Sequence, residues 1–148
     1  MNKIFLDKEK IAERAEDIKS AVFELEKFQK MNLEEFLSDK NNYKLASYHL
    51  RIAIETVLII GTHILSHLPT NGKKKDYTET ILSLAKYNVL PDDFSQKIKG
   101  MPGYRNRLVH LYWKIEPEEI LSIIKDNLED FNEFIRHIEK FVSKNIEK

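Results

Sequence analysis

Leu45-Ala-Ser-Tyr-His-Leu50-Arg-Ile-Ala-Ile-Glu55-Thr-Val-Leu-Ile-Ile60-Gly-Thr-His-Ile-Leu65-Ser-His-Leu68 decides the fold. Leu45, Ala46, Leu50, Ala53, Ile54, Val57, Leu58, Gly61, Ile64, Leu65 and Leu68 recur at helical spacing, and they spread over a face too broad for a surface helix. The pattern predicts a central helix over about residues 42–67, packed on more than one side. Its pure aliphatic run, Val57 to Ile60, falls far short of the roughly 20 apolar residues of a membrane span.

Narrower stripes lie on either side. Ile11, Ala15, Ile18, Val22 and Leu25 predict an amphipathic helix over about 7–30. Asn32, with Glu35 three residues on, resembles a capping box for one short extra turn before the break at Asp39-Lys-Asn-Asn. Pro69-Thr-Asn-Gly72 ends the central helix, and Gly72-Lys-Lys-Lys reads as a solvated loop. A third helix is expected over 77–87, and Pro91-Asp-Asp-Phe opens a fourth. Gly100-Met-Pro-Gly103 should break or kink that helix, with helicity resuming over about 103–112. Ile115-Glu-Pro-Glu-Glu opens one long last helix, striped by Ile120, Ile124, Leu128, Phe131, Ile135, Ile138 and Val142. No alternating strand pattern of useful length occurs. The expectation is a single all-α domain over residues 1–148, an up-and-down bundle of four to six helices with apolar surface left for a partner subunit.

Composition narrows the chemistry. Of 148 residues, 42% are hydrophobic and 32% charged, the balance of a soluble globular chain. Without cysteine there is no disulfide framework, thiolate zinc site or cysteine nucleophile. The first residues turn to charge too soon for a signal-peptide core, so a cytoplasmic protein without a membrane anchor is expected. Twenty-four basic and 24 acidic residues cancel, which excludes a globally basic nucleic-acid binder. Their distribution is uneven. Residues 94–115 hold Lys97, Lys99, Arg105, Arg107 and Lys114 and no acid, whereas residues 116–148 hold five basic and nine acidic residues. An anionic ligand belongs at that cationic segment.

Most candidate sites fade on inspection. His63 and His67, at i and i+4, share a helix face as metal ligands would, but no acid or H-E-x-x-H pattern accompanies them; a helix-end pair is the plainer reading, and no metal or cofactor is expected. Glu55 reads as a buried, hydrogen-bonded carboxylate beside Arg51. Gly103-Tyr-Arg-Asn-Arg-Leu-Val-His-Leu-Tyr-Trp113 stands out. Arginine and histidine without a carboxylate or metal suit a phosphate: arginine holds developing negative charge and histidine moves a proton near neutral pH. Structural hydrogen bonds for Arg105 and His110 are the alternative. The two residues lie about 140° apart around an ideal helix, too far to meet without the arginine's reach or an irregular backbone.

Arg105-Asn106-Arg107-Leu108-Val109-His110-Leu111-Tyr112 resembles the R-x-x-x-x-H-x-Y signature of HepT-like toxins of the HEPN superfamily. Met101-Pro-Gly-Tyr104, Ile115-Glu-Pro-Glu-Glu-Ile120 and the stretch from Leu50 to His63 are similar to the family's flanking segments, so the resemblance covers most of the chain. Pro102 and Ile59 depart from it; many relatives carry an acid at the latter. The resemblance implies a symmetric homodimer with both motifs facing one interface cleft, and metal-independent RNA cleavage. His110 would be the acid/base, Arg105 would hold the scissile phosphate and Asn106 would orient the site, with Arg107, Lys97, Lys99 and Lys114 as the cationic RNA-binding surround. A two-fold axis would bring Arg105 of one chain to His110 of the other. It also implies a minimal nucleotidyltransferase antitoxin that adds AMP to Tyr112, for which the plain chemical reading is packing beside Trp113. The alternatives in other classes are a non-catalytic substrate- or nucleotide-binding subunit of such a transferase, and a four-helix interaction module.

Overall fold

The structure is a computed structural model that describes residues 6–69 and 76–145. Its elements are α1 (Lys8–Gln29), α2 (Leu33–Leu37), α3 (Lys40–Ser66), α4 (Tyr77–Lys86), α5 (Asp92–Ile98), α6 (Met101–His110), a 3-10 turn (Tyr112–Lys114), α7 (Pro117–Asn127) and α8 (Glu129–Asn145). No strand occurs among the described residues. The all-α reading holds. The expected loop at Gly72-Lys-Lys-Lys lies outside the described residues.

Helix starts follow their caps. The Asp7 side chain accepts from the Lys10 amide, Asp76 accepts from the Glu79 amide, and Asn32 and Glu35 form the reciprocal box expected from their spacing. The central α3 packs on α1, α4, α6, α7 and α8, which explains the breadth of its apolar face. It is long and apolar enough to cross a membrane by length and composition, yet most of that window is buried in the protein. Ile18, Leu25 and Phe28 of α1, Leu50, Val57 and Ile64 of α3, Ile120 and Ile124 of α7, and Phe134 of α8 share one core. At Gly61 a Cβ would come within 3.0 Å of Leu84 Cδ1, so the glycine lets α4 sit close against α3.

Two boundaries differ from expectation. The break expected at Gly100-Met-Pro-Gly103 falls between Ile98 and Met101, but helicity resumes two residues before 103, because Pro102 lies in the first turn of α6, where its missing N–H costs nothing. The last helix is two, because the Phe131 amide bonds the Leu128 carbonyl three residues back and tightens the ladder at a residue whose φ and ψ stay helical. Neither glycine nor proline marks that site. Among the described residues there are eight α-helices against the four to six expected, with α2 and α5 only five and seven residues long.

Candidate functional site

Arg105 rises from the middle of α6 toward α3. Its Nε donates to Glu55 Oε1 at 3.2 Å, and its Nη1 donates to Asn106 Oδ1 at 3.1 Å. Nη2 has no hydrogen-bond partner among the described residues. The same Glu55 oxygen accepts from Arg51 Nη1 at 3.2 Å, as the i, i+4 spacing suggested. Glu55 is thus half-buried between two guanidiniums rather than fully buried with one. One carboxylate beside two cations leaves the cluster net positive and fixes the plane of the Arg105 fork.

His110 is the last residue of α6 and is exposed, as is Asn106. No hydrogen bond joins Arg105 to His110 within the chain, in keeping with their angular separation. Beyond His110 the chain turns through Leu111 into the 3-10 turn. Tyr112 and Trp113 stand out from it, 53% and 65% exposed, in an edge-to-face pair with centroids 5.6 Å apart. Tyr112 does not pack inward. Its backbone is held instead by Tyr43 of α3, whose hydroxyl lies 2.6 Å from the carbonyls of both Tyr112 and Ile115. Burial first, and then the nearby charge of Glu116, pushes the Tyr43 hydroxyl above its usual range, so it remains a donor.

The segment that is acid-free in sequence is not acid-free in space. Arg107 makes a forked pair with Glu119 at 3.2 and 3.0 Å, and Tyr104 donates to the same carboxylate. Burial foremost, with Glu119 adding, drives the Tyr104 pKa strongly upward. Lys97 pairs at 3.0 Å with Asp130, which is buried at the α7–α8 joint. Lys99 reaches only Gln96, and Lys114 has no ion pair among the described residues. Of the five cations, Arg107 and Lys97 thus tie α6 and α5 to the last two helices. Their acids lie 12 and 33 residues away in the chain, beyond any local pattern.

His63 and His67 form a helix-end pair, with centroids 4.5 Å apart and His67 Nδ1 at the His63 carbonyl. No group of three or more potential metal ligands occurs among the described residues.

Beside Arg105 opens a cleft of about 450 Å³, lined by Lys10, Glu55, Leu58, Ile59, Thr62, His63, Tyr77 and Arg105. Sequence reasoning passed over Lys10, Thr62, Tyr77, Tyr43 and Glu119. Glu119 read only as a first-turn acid complementing a helix dipole; the others carried no signal.

Comparison with known proteins decides the family. Residues 11–138 match the family described as ribonuclease HepT-like. The chain belongs to that family. It is 30% identical over 118 residues to the tRNA nuclease HepT of Aphanizomenon flos-aquae, covering 80% of each protein. Its fold is similar to a tri-AMPylated Shewanella oneidensis HEPN toxin solved in complex with an MNT antitoxin, with TM-score 0.77, 23% identity and 88% and 96% of the two chains covered. It is also similar to YutE, a Bacillus subtilis cytosolic protein of unknown function, with TM-score 0.80, 17% identity and 95% and 94% coverage. These structures share the all-α fold; the matched span places the Arg105–His110 motif inside the HepT-like family region.

Proposed function

We propose that this HepT-like protein is a cytoplasmic toxin that cleaves RNA without a metal ion, as a single domain acting in a symmetric homodimer. The observation that carries the reading is the state of Arg105: Glu55 and Asn106 hold its guanidinium, and Nη2 is left for a ligand. A phosphate oxygen fits such a preformed donor.

The neighbouring 2′-hydroxyl attacks phosphorus, a P–O2′ bond forms and the P–O5′ bond breaks. The products are a 2′,3′-cyclic phosphate and a 5′-hydroxyl end, and DNA is refused for want of the attacking group. His110 takes the proton from the 2′-hydroxyl or returns one to the leaving 5′ oxygen. Arg105 balances charge on the phosphorane, and Asn106 steadies Arg105. Because Arg105 faces α3 while His110 projects from the end of α6, the working pair comes from two chains. Lys99 and Lys114 draw the RNA backbone toward the cleft, with lesser shares from Lys97 and Arg107, whose charges are already paired.

The exposed Tyr112 is the point of control. A minimal nucleotidyltransferase antitoxin transfers AMP from ATP to its hydroxyl, the Tyr112 O–P bond forming as the α–β phosphoanhydride bond breaks and pyrophosphate and the phenol proton leave. The added phosphate and nucleotide neutralise and fill the RNA site. The ring's exposure and the Tyr43 anchor beneath its backbone support this role.

The test is cleavage of total RNA and of a short single-stranded RNA in EDTA, by native protein and His110→Ala, with light scattering on both. Cleavage by the native protein alone, at twice the 17.5 kDa chain mass, is the expected result. Inactivity of both with Tyr112 unmodified contradicts the toxin reading and points to a binding subunit.

A further inference from the structure

The cleft beside Arg105 is built for more than a phosphate. Leu58 and Ile59 give it an apolar wall on α3, and Tyr77, in the first turn of α4, adds an aromatic ring 47% exposed. Thr62 and His63 contribute polar side chains, and Lys10 with Arg105 outnumber Glu55. His63 Nε2 is buried and has no hydrogen-bond partner among the described residues, an unmet demand in an otherwise well-bonded interior. Burial first, then His67 and Lys10, lowers the pKa of this ring, so it is neutral at physiological pH. At about 450 Å³ the cleft falls within the roughly 300–1,000 Å³ typical of small-molecule pockets.

A flat apolar wall, an exposed aromatic ring, neutral hydrogen-bonding side chains and net positive charge are what one nucleotide requires. We infer that this cleft, between α3 and the start of α4, is the subsite for the nucleoside next to the scissile phosphate. The base lies against Ile59 and Tyr77 with its polar edge toward Thr62 and His63, and its phosphate meets Arg105. The inference rests on the ribonuclease reading for the phosphate's identity, and it makes the cleft the place where one base is chosen.

The test uses the full-length, isotope-labelled protein titrated with each nucleoside 3′-monophosphate and, separately, with inorganic phosphate, following backbone amide signals. The nucleotides should perturb Thr62, His63 and Tyr77, and bind about tenfold or more tighter than phosphate. Tyr77→Ala should remove that margin while leaving phosphate binding unchanged, and Thr62→Val should alter the order of preference among bases. Both side chains are exposed, so neither variant threatens the fold. Equal binding of nucleotide and phosphate, perturbation confined to other surfaces, or a cleft closed by a second copy of the chain would overturn the inference. RNA cleavage whose KM is indifferent to Tyr77→Ala would sink the subsite and spare the ribonuclease reading. Nucleotide binding here by a native protein that never cleaves RNA would do the reverse.

Discussion

Glu55 and Ile59 stand on α3 between two clefts of opposite character. On one side, Lys10 and Arg105 face a single acid, Glu55. On the other, toward α1, Arg14 and Lys19 are outnumbered by Glu16, Asp17, Glu24 and Glu55, and the large rings of Phe23 and Tyr48 lie exposed, Phe23 by 71%. The second cleft is the larger, about 670 Å³ against 450 Å³, yet its charge repels a polyanion. Size alone would choose the wrong one. The side on which Arg105 leans over α3 decides which cleft carries the positive charge.

The comparison can be broken most directly at Arg105. Arg105→Ala should lower RNA cleavage by about 10²–10³-fold, as removal of a preorganised oxyanion donor does, with the helical circular dichroism spectrum retained. Persistence of more than a tenth of the native rate would move the phosphate elsewhere.

Glu55, shared by both clefts, sharpens the contrast. Glu55→Gln should lower kcat about tenfold, because the Arg105 fork loses its charged anchor. It should also lower KM severalfold, because a negative charge leaves the RNA's path. A fall in kcat without a fall in KM would make Glu55 a structural group only.

Each cleft also holds a histidine with a depressed pKa, His49 in the acidic one and His63 in the cationic one, burial being the main cause in both. Glu24 pulls the first back upward against Lys27, and His67 and Lys10 push the second further down against Asp7. The unfolded chain then holds these protons more readily than the folded one. Stability is therefore full above the ordinary value near 6.5 and declines as pH falls below it. Urea midpoints from pH 7.5 down to 5 should show the decline, and His63→Gln and His49→Gln should each flatten it.

The smallest effect is expected across the ridge. Phe23→Ser should leave nucleotide affinity unchanged within about twofold, since the ring lines only the acidic cleft. A loss as large as that of Tyr77→Ala would mean the clefts act as one.

Much of this is legible in the sequence. The broad apolar face around Val57 and the narrow stripe from Ile11 to Leu25 carry the helical period directly, and both helices fall within two residues of expectation. Asn32 and Glu35 announced their cap because capping is local. The motif Arg105–His110 suggested phosphate chemistry from its residue types, with structural hydrogen bonds as the alternative, and Arg105 does bond Glu55 and Asn106. What stayed hidden depends on distance along the chain. Glu55 meets Arg105 50 residues later, and Tyr43 meets Tyr112 69 residues later. No periodicity in either segment encodes such meetings; they arise when α6 and the turn after it lie across α3. The same holds for the nucleoside cleft, whose walls come from α1, α3, α4 and α6. Ile59 seemed to cost the site an acid. Glu55, one helical turn earlier, supplies a carboxylate at Arg105.

The central claim is that Arg105 and His110, facing apart on one helix, act on one phosphate across a two-fold axis. Its most direct test mixes two inactive variants, Arg105→Ala and His110→Ala, under conditions that exchange subunits, and assays RNA cleavage in EDTA. A mixed dimer holds one intact pair, Arg105 from one chain and His110 from the other. Activity should return to about a quarter of the native level: half the dimers are mixed, each with one working site of two. No recovery, in a sample shown by mass spectrometry to contain the mixed dimer, would contradict the shared site.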